Sequence, residues 1–300
     1  MQVNDSRLHR IGRVETELEI FPADSFRLEF DLEYDWRFTD LNLQKLFVRY
    51  DFENSNIRLG FMKKMFSLEE INSRSDRLLI RKSMLNNILE DFFLFGRDFT
   101  VQYRHNFPSY TLIGSFAGDG SARVFTNLTL RTRNLDKKRI VAAFMYKIYE
   151  DKDATHNRQN AFFANVGLEL DGRINDFELE TIWGKNLEKY GVITMNYIEF
   201  KERNNIGFLG IRFQQSFPVT TDRKHLKKIV PLYETVYFSD SFAFKNAYWQ
   251  IRPGVNLSFA RRDRLQWRTN LDLIMTANNQ ESRRPQIISQ RVLSEIFVHW

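Results

Sequence analysis

Residues 56–64 read NIRLGFMKK and residues 97–105 read RDFTVQYRH. Between them stands FSLEEINSRSDRLLIRKSMLNNILEDFFLFG (66–96), which has no strand alternation. In the first segment Ile57, Leu59 and Phe61 share one face, while Arg58, Gly60 and Lys64 share the other, the period of a β-strand. Most other connections in the chain are only a few residues long. A long, semi-helical insertion between two strands of a tightly turned β protein tends to be functional. It reads as a constriction loop, about 65–96, that folds back into a β-barrel and narrows its bore.

The neighbouring segments carry the same two-faced pattern. Val14, Thr16, Leu18 and Ile20 oppose Arg13, Glu15, Glu17 and Glu19; after a turn at 21–25, Phe26, Leu28, Phe30, Leu32 and Tyr34 oppose Arg27, Glu29, Asp31, Glu33 and Asp35. A transmembrane strand beside a wet lumen looks like this, and so does a half-exposed strand of a soluble sandwich. Number and length favour the barrel. Further strands are expected at about 43–52, 56–63, 97–105, 109–117, 121–133, 138–148, 161–171, 176–185, 190–200, 205–215, 229–239, 249–260, 264–275 and 288–300, most of them near the roughly nine to eleven residues a membrane strand needs. The fold expected is all-β, a transmembrane antiparallel barrel of about 16 strands forming a single domain over 1–300. Trp36, Trp183, Tyr190, Tyr248 and Trp249 fall near strand ends, where an aromatic girdle would lie. The chain stops on Trp300, in one row with Val292, Ile296 and Val298, an alternating strand closed by an aromatic residue as in bacterial outer-membrane barrels.

Composition narrows the function classes. Mean hydropathy is -0.45, with 43% hydrophobic and 15% aromatic residues, 28 of them Phe. No window reaches the roughly 18 apolar residues of a membrane helix, so any spanning structure must be a closed barrel. The chain has 0 Cys, which excludes thiol chemistry, disulfides and Cys-ligated zinc. The formal charge of +6 is spread along the chain, without the basic helix or motif of a nucleic-acid binder. His9, His105, His156, His225 and His299 are dispersed, and there is no nucleophile elbow, P-loop or Gly-rich fingerprint. No enzyme, cofactor or metal is expected. The start, MQVNDSRLHR, has no apolar h-region, so no signal peptide is visible.

Alternation turns many basic residues inward: Arg13, Arg27, Lys45, Arg49, Arg58, Lys64, Arg104, Arg123, Arg131, Arg133, Arg212, Arg252 and Arg268. Arginine suits phosphate because its planar fork gives two parallel hydrogen bonds and its charge persists at any working pH. The acids of the first hairpin share that face, so the lumen is not uniformly basic. Within the insertion, Leu78, Leu85, Leu89 and Phe92 recur at helical spacing with Ser75 as N-cap. That stripe would pack on the wall and leave Arg77, Arg81 or Lys82 toward the bore; the alternative is a surface lid helix.

The run from Ile57 to Arg74, IRLGFMKKMFSLEEINSR, resembles the phosphate-selective porin O and P family, whose strand has the form R-x-G-x-x-K-x-P-F-S-L-E-E, with an Arg opening the next strand as Arg97 does here. Met65 stands where that family has Pro. Arg10-Ile11-Gly12-Arg13 resembles the Arg-rich strand early in the family; Gly167-Leu168-Glu169, Phe177-Glu178-Leu179-Glu180 and Pro253-Gly254-Val255-Asn256 fit more loosely. The resemblance implies a homotrimeric, sixteen-stranded channel in the bacterial outer membrane, passing small anions such as phosphate, with the third external loop folded inward and lipid outside. It implies a further strand before Arg10. Arg74 and Arg97 are its best matches to anion-contacting positions, and Lys82 is a looser one. A general, non-selective porin and a non-channel structural or enzymatic barrel are the alternatives.

Overall fold

The computed structural model describes residues 13–35, 40–71, 78–91, 94, 96–118, 123–132, 138–150, 158–172, 174–185, 207–221, 223, 225–239, 247–259, 265–276 and 286–298. Its first half comprises β1 (Arg13–Ala23), β2 (Phe26–Asp35), β3 (Asp40–Phe52), β4 (Ser55–Lys63), α1 (Leu68–Ile71), α2 (Met84–Asp91), β5 (Arg97–Asn106), β6 (Tyr110–Gly118), β7 (Val124–Thr132) and β8 (Lys138–Glu150). The second half comprises β9 (Arg158–Asp171), β10 (Asp176–Lys185), β11 (Gly207–Ser216), β12 (Val219–Thr220), β13 (Lys228–Ser239), β14 (Ala247–Ser258), β15 (Leu265–Thr276) and β16 (Gln286–Val298). All belong to one sixteen-stranded sheet in which each long strand pairs antiparallel with the next, and the short β12 pairs β13 off the main path. This is the fold of a transmembrane β-barrel. Among the described residues β1 and β16 are its edges, and no pairing joins them. Among the described residues no helix is long and apolar enough to cross a membrane.

β10 pairs directly with β11, from Asp176↔Ser216 to Lys185↔Gly207. The sheet therefore has no place between them for the strand expected at 190–200, whose residues lie outside the described set. The expected total of about sixteen agrees with the structure, but it is reached with β12 in place of that strand. Trp300, Trp36 and Tyr190 also lie outside the described residues.

Connections sort by end. The links β1–β2, β3–β4, β5–β6 and β9–β10, at 24–25, 53–54, 107–109 and 172–175, lie at one end and are tight; the insertion 64–96 lies at the other. We call these the short-turn and long-loop ends.

The faces follow the period of two. Outward rows are apolar: Ile57 and Leu59 on β4, Phe99, Val101 and Tyr103 on β5, and Trp249 and Ile251 on β14, with Phe99 59% exposed to what would be lipid. Aromatic rings gather near both ends of this face. Phe52, Tyr103, His105, Phe107 and Tyr110 form a continuous series at the short-turn end, and Tyr237 packs on Trp249 at the long-loop end with ring centroids 4.8 Å apart. Trp183 joins the outward row, whereas Tyr248 turns inward and packs against the buried core.

Inward rows are not uniformly wet. Phe125, Ala143, Met145, Ala161, Phe163, Ile182, Phe208, Val236 and Phe238 point inward and are buried with Phe66, Met84, Leu85, Ile88, Leu89 and Leu94 of the insertion. A strand apolar on both faces must have something packed inside it. Here that is the loop, and α2 is its apolar wedge.

Candidate functional site

The base of the loop is closed where the Lys64 N–H donates to the Gly96 carbonyl at 3.0 Å. α2 begins at Met84, and its N-cap is Ser83: the Asn86 N–H donates to Ser83 Oγ at 3.0 Å. The expected cap, Ser75, lies outside the described residues. Leu85 and Leu89 are buried as the helical stripe requires, whereas Leu78 lies before the helix.

A helix of eight residues is too short to stand alone, and its stability comes from seats in the wall. A Cβ on inward-facing Gly210 would fall 2.3 Å from Leu85 Cδ1, and one on Gly167 would fall 2.6 Å from Leu68 Cγ. These glycines are notches that receive loop leucines. Gly210→Val is expected to push α2 off the wall and to lower the thermal midpoint of the folded barrel, since overpacking a filled site costs about 1–3 kcal/mol; an unchanged midpoint would refute the seating.

Loop backbone groups find partners on inward side chains. The Met65 carbonyl accepts from Asn127 Nδ2 at 2.9 Å and Thr129 Oγ1 at 2.5 Å. The Phe66 carbonyl accepts from Asn165 Nδ2 at 2.6 Å, and the Leu78 carbonyl from Asn256 Nδ2 at 2.9 Å. The Leu68 N–H donates to Glu180 Oε1, and the Met84 N–H to Gln250 Oε1, each at 2.7 Å. Glu69 ties the loop to itself, accepting from the Ser83 N–H and hydroxyl at 2.6 Å each. Buried backbone polar groups need such partners, and the lumen supplies them.

Toward the short-turn end a second feature lines the lumen. Arg27, Arg49 and Arg58 occupy one register row across β2, β3 and β4. Arg104 on β5, Arg131 on β7 and Arg139 on β8 continue it in steps. All six side chains are partly exposed. They stand close enough to repel one another: Arg58 feels the charges of Arg49 and Arg104, and Arg131 those of Arg104 and Arg139. Three carboxylates are interleaved, and the first of them, Glu29, acts on Arg58. Asp51 bridges Arg49 Nη2 at 2.7 Å and Arg27 Nε at 3.4 Å, and Glu169 meets Arg139 at 2.8 Å. Arg58 is steadied by Asn56 Oδ1, 3.2 Å from its Nε, and by the Phe47 ring, 5.4 Å from the guanidinium carbon. Arg104 Nε donates to Asn106 Oδ1 at 3.3 Å.

Of the inward residues named from sequence, Arg27, Arg49, Arg58, Arg104 and Arg131 belong to this row. Arg13 opens β1 opposite Asp35, and its side chain is outside the described set, as are Arg74 and Arg77 entirely. Lys82 pairs with Glu90 of its own loop at 2.9 Å. Arg81 lines a cavity of about 10 Å³, room for one water, with Glu69, Glu178, Arg212 and Glu234. Lys64 is 4% exposed, bound to Asp98 at 2.5 Å and set 3.9 Å over the Phe125 ring, so it is sealed under the loop and away from solute. Arg97 stands apart from this row. It shares the alternation of Phe99, Val101 and Tyr103, and its partner across the ladder is Lys63, in the row of Leu59 and Phe61. A period of two puts Arg97 on the outer row.

Sequence reasoning missed Arg139 and the pairing of the buried charges. Arg212 Nη2 meets Glu178 at 2.6 Å and its Nε meets Glu234 at 2.9 Å; Arg252 binds the same Glu234 through Nε at 2.8 Å and through Nη2. Arg212 and Arg252 were legible as inward arginines, but their partners lie on other strands and no local pattern pairs them.

The antiparallel sheet, the outward apolar rows and the inward loop define a barrel of outer-membrane type. No protein-family model matches the chain, and no curated protein matches it. Among solved structures, the outer membrane channel DcaP of Acinetobacter baumannii aligns with TM-score 0.64 at 12% identity, over 96% of this chain and 84% of that one. An anion-selective porin from Comamonas acidovorans aligns with TM-score 0.63 at 12% identity, over 95% and 84%. The trimer form of OmpT, an outer membrane protein of Vibrio cholerae, aligns with TM-score 0.60 at 11% identity, over 95% and 88%. The chain thus shares the fold of outer-membrane porins.

Proposed function

We propose that the protein is a bacterial outer-membrane channel for passive diffusion of small anions, with phosphate and related oxyanions as its preferred solutes. One observation carries this reading: among the described residues, six partly exposed arginines on β2 to β5, β7 and β8, interleaved with the carboxylates of Glu29, Asp51 and Glu169, stand at the short-turn mouth of a bore that a fixed loop narrows. Rings or arcs of one sign select ions in a confined lumen, and arginine adds the bidentate geometry that suits an oxyanion. The Comamonas porin of like fold is named as anion-selective, which supports the choice of sign. The OmpT match is described as a trimer; a homotrimer set in outer-membrane lipid is the assembly we propose, tested by cross-linking in membranes.

A guanidinium 4 Å from an anion contributes about 1 kcal/mol in bulk-like water, so Arg58→Gln with Arg104→Gln is expected to lower the chloride-to-potassium permeability ratio severalfold. Reversal potentials in a KCl gradient read this. Cation preference in the unaltered protein would overturn the anion reading. A second reading, a general porin, is favoured by the register of β1 on β2, which sets Glu15, Glu17 and Glu19 opposite Glu33, Asp31 and Glu29; absence of phosphate block of the chloride current would support it.

A further inference from the structure

The buried charges on β10 to β14 form one connected chain, and both of its ends grip the insertion. Glu180 accepts the Leu68 N–H at the start of the loop and lies 3.7 Å from Arg212 Nη1. Arg212 binds Glu234, and Glu234 binds Arg252. Arg252 Nη1 then donates to the main-chain carbonyls of Arg81, at 2.8 Å, and Lys82, at 3.1 Å. Those two residues immediately precede Ser83, the cap of α2. Arg252 is 1% exposed and Arg212 is 4% exposed, so these bonds are made away from bulk water, where charge-assisted bonds hold geometry best.

We infer that Arg252 is a positioning residue of the channel. It does not meet solute; it fixes the peptide segment that carries the Arg81 and Lys82 side chains and starts the α2 wedge, and so sets the width and charge of the constriction. A lysine at 252 keeps a cation opposite Glu234 but lacks the fork that reaches carboxylate and carbonyls at once. This rests on the channel reading for its electrical consequences, but not for its structural one.

The chain has 0 Cys, so a single introduced cysteine is a clean reporter. Leu79 is 5% exposed, and Leu79→Cys is expected to resist a water-soluble maleimide in the otherwise unaltered protein. Adding Arg252→Met or Arg252→Lys is expected to raise the labelling rate at least about tenfold, because the clamp on 81–82 opens. Arg252→Lys is expected to keep the thermal midpoint near that of the parent. In bilayers, Arg252→Lys gives a noisier current and a reversal potential shifted as in Lys82→Gln, and the double variant adds less than the sum. Equal labelling in parent and both Arg252 variants overturns the proposal, as does a parent-like current in Arg252→Lys. A silent bilayer with raised labelling leaves the positioning role standing and removes the channel reading instead.

Discussion

Gly60→Ala is expected to prevent the barrel from reaching its folded form. Gly60 has φ +144°, and a Cβ there would sit 2.3 Å from the Leu46 carbonyl oxygen and 2.7 Å from Phe47 Cα. Both obstacles are backbone of the neighbouring strand, with Leu46↔Phe61 and Phe47↔Gly60 in register. Side-chain rearrangement cannot relieve them; β3 and β4 would have to part. The conformation alone costs a non-glycine residue about 1–3 kcal/mol, and the overlap adds to it. The close approach also lets Phe47 lie beneath Arg58, so a local backbone demand and a site residue share one cause. Heat-modifiable migration on a gel after refolding in detergent reads the result: a full yield of folded Gly60→Ala would refute this account.

Glu234→Leu is the second large effect. Glu234 is 1% exposed and joins Arg212 to Arg252. Arg212 would keep Glu178 and the more distant Glu180, whereas Arg252 would keep only main-chain carbonyls among the bonds described above. Removing one partner of a buried ion pair costs about 3–5 kcal/mol because it leaves the other charge unmatched. Glu234→Gln, which keeps an acceptor oxygen, is expected to lose less than half as much. Urea or thermal unfolding of both variants tests the order; equal loss would mean that the carboxylate charge, which both variants remove, accounts for the whole effect and the acceptor oxygen for none of it.

The barrel was legible because lipid imposes a simple rule on every strand. Outward rows such as Ile57, Leu59 and Phe61 have no choice but to be apolar, and a period of two exposes them to inspection. The inward loop was legible from its break in that period. The register was less so: Arg97 enters only through the family resemblance, and counting from Phe99 sets it in the row of Phe99, Val101 and Tyr103. The apolar inner belt left a readable sign in β8, where Val141, Ala143 and Met145 alternate with Ile140 and Phe144, an excess of apolar surface that only an inserted element explains. The arginine row was half legible, since each member could be turned inward by parity but the steps that join them depend on strand pairing. The Glu180–Arg212–Glu234–Arg252 chain was not legible at all, because its partners belong to four different strands and to a loop more than a hundred residues away.

Those separations govern the order in which the molecule can assemble. Met65 finds Asn127 and Thr129 after 62 and 64 residues, Phe66 finds Asn165 after 99, Leu68 finds Glu180 after 112, and Leu78, Arg81, Lys82 and Met84 wait 166 to 178 residues for β14. Contacts of such high order form slowly. The fastenings of the insertion are therefore spread over most of the chain, and those at Leu78, Arg81, Lys82 and Met84 exist only once β14 is in place. A sheet that lacks β11 has no Gly210 notch to receive Leu85 and carries the wedge loosely, so a partly paired sheet and not the finished protein is the stage most exposed to misassembly.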